Sequence, residues 1–388
     1  MIIEIKGVEF ENKGAELMLY SVLDRVKLYW PDAQIALSPS PKAPYLKRAK
    51  LASWQKISIR KLYFDLNELT YYLPTGLRNW FKKWGIVTEA DIDMVIDASG
   101  FSYSDQWDPA MSIRHLSAEI NRNSKHKKPY IFMPQALGPF SSPGVRNNIR
   151  SSFKNAALIC AREQDSYQHV HSITGDLSQL QIFGDFTNAQ KGKVPNYYVD
   201  GVNKACIVPN KNMVNPRNKN KSWLGTYKNM LINAIEIYRE QGLTPFFLNH
   251  EGKEDAHLID EINLAIAKPL EVINEDDPIA VKGIIANSKA VLCSRFHGCV
   301  SALSNSIACL GTSWSHKYER LYEEYNCSQL LLSPEITRKQ LEETILTSLD
   351  KENDLHQVIT ENAALYKEQT ENLWQSVISA SEKYRQLS

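Results

Sequence analysis

A chain of 388 residues with 43% hydrophobic and 23% charged side chains is long for a single hydrophobic core and too apolar to be largely disordered, so two domains are expected. Its 45 Lys and Arg nearly cancel 44 Asp and Glu, which excludes a global field for nucleic acid or acidic membranes and leaves any anion to local charges. The six cysteines show no C-x-x-C pair and no zinc-like spacing with histidine; Cys160 and Cys293 sit in apolar runs, where a thiol acts as a small hydrophobe. The start Met-Ile-Ile-Glu-Ile lacks the features of a secretory signal, and no run reaches the ~20 apolar residues of a spanning helix, so a cytoplasmic protein is expected.

Short apolar runs alternate with longer amphipathic segments up to about residue 320, the pattern of repeated β-α units around parallel sheets. In such sheets ligands bind beyond the carboxyl ends of strands, so each strand end is a place to look. The first strand, Ile2 to Phe10, runs through the turn Glu9-Phe10-Glu11-Asn12-Lys13-Gly14 into a helix over 15–28. The free N–H groups of this turn, with Lys13, suit an anion or a sugar oxygen; a simple turn with Gly14 chosen for backbone freedom is the alternative. Residues 40–90, poor in period and rich in Tyr, Trp and Lys, read either as a lid facing a ligand or as a surface helical hairpin.

The strand Asp93 to Ala98 ends in Asp97-Ala98-Ser99-Gly100, which makes Asp97 a candidate base or hydroxyl binder and Ser99 a candidate contact. After a helix over 110–124, the strand Tyr130 to Gln135 offers the Gln135 amide at the same sheet edge, although Gly and Pro at strand ends often only shape turns. A helix over 143–155 leads to the strand Ala157 to Ala161, from which Arg162-Glu163 emerges before a helix over 164–172. An arginine there can fork onto a carboxylate or phosphate with Glu163 orienting it; a structural ion pair is the other reading.

Residues 186–222, rich in Asn, Lys, Gly and Pro and including the charged run 215–221, read as linker or mobile loop, with a boundary near 190–200. A second series follows: strands at Ala205 to Val208, Pro245 to Leu248, 270–273 and Ala290 to Cys293, alternating with helices over 226–241, 254–266, 278–287 and 298–306. The last strand delivers Ser294-Arg295-Phe296-His297-Gly298. If extended, alternation sets Arg295 and His297 on one side, and histidine suits proton transfer near neutrality. Trp314-Ser315-His316-Lys317-Tyr318 adds a second cluster, in which Lys317 is either a ligand contact or a solvated residue. A final helix over 352–386 can pack back on the first domain.

Taken in order, Asn12-Lys13-Gly14, Leu137-Gly138-Pro139-Phe140, Arg162-Glu163 with Ser166, and Ser294-Arg295-Phe296-His297-Gly298 resemble the polysaccharide pyruvyltransferase family over about residues 5 to 320. The resemblance implies two Rossmann-like domains facing across a cleft, glycosyltransferase-B-like: residues 1–195 on the acceptor side and 196–350 as the donor domain. It implies phosphoenolpyruvate as donor, no further cofactor and no metal, and a saccharide acceptor of galactose type on a polyprenyl diphosphate carrier, serving a capsular or other surface polysaccharide. Membrane proximity would then be peripheral, through that acceptor. Carried onto this chain, Arg162 and Arg295 bind the donor and His297 is catalytic, with Asp97 or Glu163 as base; Asn12, Lys13, Gly14, Ser99, Gln135, Glu163, Ser294, Gly298 and Lys317 are binding candidates. The chain departs from the family at Asp97-Ala98-Ser99-Gly100, and at Gly184-Asp185-Phe186, where no role is carried onto Asp185. A nucleotide-sugar glycosyltransferase of the same architecture and a non-catalytic sugar-binding protein are the competing readings.

Overall fold

The computed structural model describes residues 1–386 except 62, 63, 108, 217 and 219, so Arg217 and Lys219 of the expected charged loop lie outside the described residues. The chain forms two compact units. Met1–Phe10, Met18–Phe186 and the residues from Gln369 on make the first; Glu11–Leu17 and Thr187–Glu368 make the second. The division at 186/187 falls earlier than the expected 195/196. The turn 11–17, expected in the first unit, belongs to the second because the Asn12 and Lys13 side chains bond Glu251 and the Asp276 carbonyl.

The first unit is built on strands β1 (Ile2–Lys6), β2 (Gln34–Leu37), β3 (Trp54–Lys56), an outlying antiparallel pair β4 (Arg60–Lys61) and β5 (Phe64–Asp65), then β6 (Ile86–Val87), β7 (Met94–Asp97), β8 (Tyr130–Gln135), β9 (Leu158–Ala161) and β10 (Leu180–Ile182). Eight of them make a parallel sheet in the order β10-β9-β8-β7-β1-β2-β3-β6. Parallel strands covered on both faces need continuous apolar runs, and β7, β8 and β9 are buried at every residue. The segment 40–90 is neither a lid nor a helical hairpin alone. It supplies β3 and the edge strand β6, both too short to show a period.

The second unit carries β11 (Lys204–Val208), β12 (Thr244–Asn249), β13 (Val272–Asn274), β14 (Ala290–Cys293) and β15 (Cys309–Gly311), parallel and ordered β13-β12-β11-β14-β15. Its core packs Trp223, Tyr227, Tyr238, Phe246 and Tyr322 around the sheet. The strand expected at Ala205 to Val208, within the Asn- and Lys-rich stretch 186–222, is the central strand β11. Each sheet reverses its winding once, between β1 and β7 in the first unit and between β11 and β14 in the second. All six cysteines are buried and unbridged. No helix among the described residues is long and apolar enough to cross a membrane.

Candidate functional site

The reversal point of the second unit lies where β11 and β14 end, and there the chain runs Ser294-Arg295-Phe296-His297. Ser294 is fully buried. Its hydroxyl meets those of Tyr227 at 2.6 Å and Thr312 at 2.8 Å, its N–H donates to Val208, and its carbonyl accepts from Asn210 and Tyr318. The expectation that Ser294 contacts substrate is corrected: its polar groups tie β11 to β14. Gly298 is fixed by packing: a Cβ there would lie 2.4 Å from the Cys293 sulfur.

The helix starts at Phe296 rather than Gly298, so strand alternation does not align Arg295 with His297. Arg295 is the extended residue before the helix (φ −109°, ψ 126°) and His297 stands in its first turn. The Arg295 guanidinium is 6% exposed and was expected to be open to a donor; instead it is held by carboxylates. Its Nε donates to Asp255 Oδ2 at 3.0 Å and its Nη2 to Oδ1 at 2.5 Å, while Nη1 pairs with Glu251. Asp255 also accepts the Lys211 N–H at 3.0 Å. Burial acts on both partners, lifting the Asp255 carboxyl to about 7 and lowering the Arg295 guanidinium to about 10; the fork of N–H···O bonds offsets that desolvation.

The turn 11–17 comes to the same place. Asn12 caps the helix Lys13–Tyr29: its side-chain carbonyl accepts the N–H groups of Gly14 at 2.9 Å and Ala15 at 3.4 Å, and its backbone carbonyl accepts that of Glu16. These N–H groups are therefore not open to an anion as expected. The Asn12 amide donates to Glu251 at 3.3 Å. Lys13, 8% exposed, donates to the Asp276 carbonyl at 2.7 Å and to Glu16 at 3.0 Å. Gly14 faces His297 so closely that a Cβ would sit 2.2 Å from its Nδ1.

Sequence reasoning missed three residues here: His250, Glu251 and Asp255. His250 follows β12 and is 4% exposed, and its Nδ1 has no hydrogen-bond partner among the described residues. Burial, then the charges of Arg295, His297 and Lys13, hold its pKa well below the usual histidine value. The signal was available in the strand-end rule, which applies to β12 as it does to β14. Lys317 stands over the rings of Phe296, Trp314 and Tyr318 at 5.0, 5.1 and 5.7 Å, a cation settled on aromatic faces beside the site.

In the first unit Asp97, Ser99, Gln135, Arg162 and Glu163 gather at the ends of β7, β8 and β9. Asp97 is fully buried and accepts from Tyr130 at 2.7 Å, Tyr103 at 2.8 Å and both the N–H and hydroxyl of Ser99. A carboxylate so enclosed is not placed to take a proton from a sugar. The expectation of a base is corrected to one of loop support, and Ser99's hydroxyl is spent on the same task. Gly7 lets this loop approach β1: a Cβ there, at φ +73°, would lie 2.2 Å from Ser99 Cα.

Gln135 donates to the Asp97 carbonyl at 3.3 Å, and its buried Oε1 has no partner among the described residues. Arg162 lies 3.7 Å from the Glu163 carboxylate and 3.8 Å from Asp185, the residue to which no role was carried. Glu163 also accepts from the Ser166 hydroxyl, which in turn takes the Leu137 N–H at 2.8 Å, and Gly138 packs on His169. The Gly-Pro-Phe and Arg-Glu-x-x-Ser motifs thus form one knot. No group of three His, Cys, Asp or Glu among the described residues is placed to hold a metal ion.

Comparison with solved structures places this architecture among the glycosyltransferase-B-like folds. UDP-GlcNAc 2-epimerase from Neisseria meningitidis, bound to UDP-GlcNAc, superposes with a TM-score of 0.56 at 12% identity, covering 97% of this chain and 99% of that one. The UDP-GlcNAc 2-epimerase of Methanocaldococcus jannaschii gives 0.55 at 12% identity over 91% and 93%. Spinosyn rhamnosyltransferase SpnG gives 0.52 at 10% identity over 98% and 100%. At such identities the likeness is one of fold. No curated protein matches the chain. The polysaccharide pyruvyl transferase family model, however, matches residues 12–316, and the chain belongs to that family.

Proposed function

We propose that the protein transfers the pyruvyl group of phosphoenolpyruvate to two hydroxyls of a sugar, forming a ketal and releasing phosphate. Family membership supports a transferase of polysaccharide biosynthesis. The observation that carries the donor assignment is the gathering of Lys13, His250, Arg295 and His297 at one sheet reversal.

Phosphoenolpyruvate is an enol ether. Protonating its methylene carbon leaves an oxocarbenium-like centre that one hydroxyl attacks; phosphate then departs and a second hydroxyl closes the ketal. One hydroxyl proton replaces the acid's and the other leaves with phosphate. His297 is the acid. Arg295 keeps its buried fork on Asp255, and the donor's carboxylate takes the Nη1 position that half-exposed Glu251 holds. The acceptor is proposed to be a galactose-type residue on a polyprenyl diphosphate carrier. Phosphate release from phosphoenolpyruvate with such an acceptor tests this: His297→Ala and Arg295→Ala are each expected to lose about a hundredfold or more in rate. Full activity in both ends the assignment, and Arg162→Ala is the separate measure of the first unit's part in donor binding.

The second reading is a nucleotide-sugar glycosyltransferase of the same architecture, with which the fold is compatible.

A further inference from the structure

Residues 40–90 carry ten Lys or Arg against Asp65, Glu68 and Glu89, in a chain whose net charge is +1. Those three acids are taken by the helix Ala110–Lys125: Arg122 bonds Asp65 at 3.0 Å and Glu89 at 2.7 Å, and Lys125 bonds Glu68 at 2.5 Å. Asp91, just beyond, takes Lys82 and Arg78. Lys61 and Lys83 remain on the outer surface.

The same stretch exposes large apolar side chains. Phe64 is 73% exposed, Tyr72 72%, Trp80 51% and Trp84 68%. The pair β4–β5 sets Phe64 opposite Lys61. The helix Thr75–Lys82 brings Trp80 to within 6.2 Å of Trp84, ring to ring. This helix and the turn Asn67–Tyr72 both border the turn Glu89–Asp91, so the rings and cations share one region of the first unit.

Tyr and Trp rings with an apolar body and a polar edge, beside a wholly apolar Phe and interleaved with lysines, match the headgroup layer of a bilayer, where aromatics sit at the interface and cations meet lipid phosphates. Leu66 and Leu69, 47% and 56% exposed in the same stretch, add aliphatic surface that a bilayer takes up and a nucleic acid strand does not. We infer that this face docks on an anionic lipid bilayer, seating Phe64, Tyr72, Trp80 and Trp84 among the headgroups and Lys61 and Lys83 on their phosphates. The inference is independent of the reaction catalysed.

Flotation of the full chain with vesicles of phosphatidylcholine, alone or mixed with phosphatidylglycerol, tests it. The protein is expected to float with the anionic vesicles, less so in high salt. The pairs Trp80→Ser/Trp84→Ser and Lys61→Gln/Lys83→Gln are each expected to weaken partitioning roughly tenfold or more. Circular dichroism melts identify a pair that fails to fold, and the other pair then decides. Equal recovery with both vesicle types, or wild-type flotation by the folded variants, overturns the proposal. So does a dimer in solution that the tryptophan pair abolishes, which would assign the face to a second copy.

Discussion

His250 is a histidine that the fold keeps neutral. Burial comes first, and the electrostatic influence of Arg295, His297 and Lys13 adds to it, so its pKa lies well below the usual value while the unfolded imidazole keeps one near 6.5. Below that pH the unfolded chain binds a proton that the folded chain refuses. This group therefore makes stability rise with pH up to about 6.5 and level off above it, with a slope of at most about 1.4 kcal/mol per pH unit. Urea unfolding of wild type and His250→Gln from about pH 7.5 to about pH 5.5 is expected to show wild type losing about 1 kcal/mol more than the variant. Parallel losses would mean that His250 takes its proton as easily in the folded protein as in the unfolded one.

The first turn of the helix Lys13–Tyr29 does two jobs, and Gly14 shows how they compete. Alanine is the better helix former by about 1 kcal/mol, and Gly14 has no left-handed backbone to protect. A methyl group there would nevertheless meet the His297 ring at Nδ1, Cγ and Cβ, at 2.2, 2.7 and 3.0 Å. A ring struck so near its root cannot swing clear without turning away. Gly14→Ala is accordingly expected to lower the rate of phosphate release at least tenfold while lowering stability by no more than about 2 kcal/mol, the overpacking less the gain in helix propensity; unchanged turnover would remove His297 from the chemistry. The sequence made this element readable only in part. Strands β7, β8, β9, β11 and β14 stood out because burial on both faces leaves them almost wholly apolar. Strands β3 and β6, of three and two residues, had no length in which to show a period. Asn12 and Arg295 were visible as strand-end residues, but their bonding was not. Which carboxylate meets Arg295 depends on β12 lying beside β11, and strand order is a tertiary fact.

At the scale of the whole chain, the fold does not decide between the two proposed donors. The architecture is shared along nearly the full length with an epimerase solved with UDP-GlcNAc, yet at 12% identity that likeness carries no ligand with it. What distinguishes the two proposals is local: Lys13, His250, Arg295 and His297 meet at the sheet reversal of the second unit, with Glu16 on Lys13 and with Asp255 and Glu251 on Arg295. A ligand that binds only the folded state stabilises it by about 2.7 kcal/mol at a hundred times its Kd, which is several degrees in Tm for a chain of this size. The second unit has a core of its own, so the transition that reports its unfolding should carry the shift. Phosphoenolpyruvate is expected to raise Tm and UDP-GlcNAc to leave it unchanged. Arg295→Ala, judged at its own unliganded Tm, is expected to erase the response. A rise with UDP-GlcNAc and none with phosphoenolpyruvate would reverse the assignment in favour of nucleotide-sugar transfer, because mass action leaves no protection without binding.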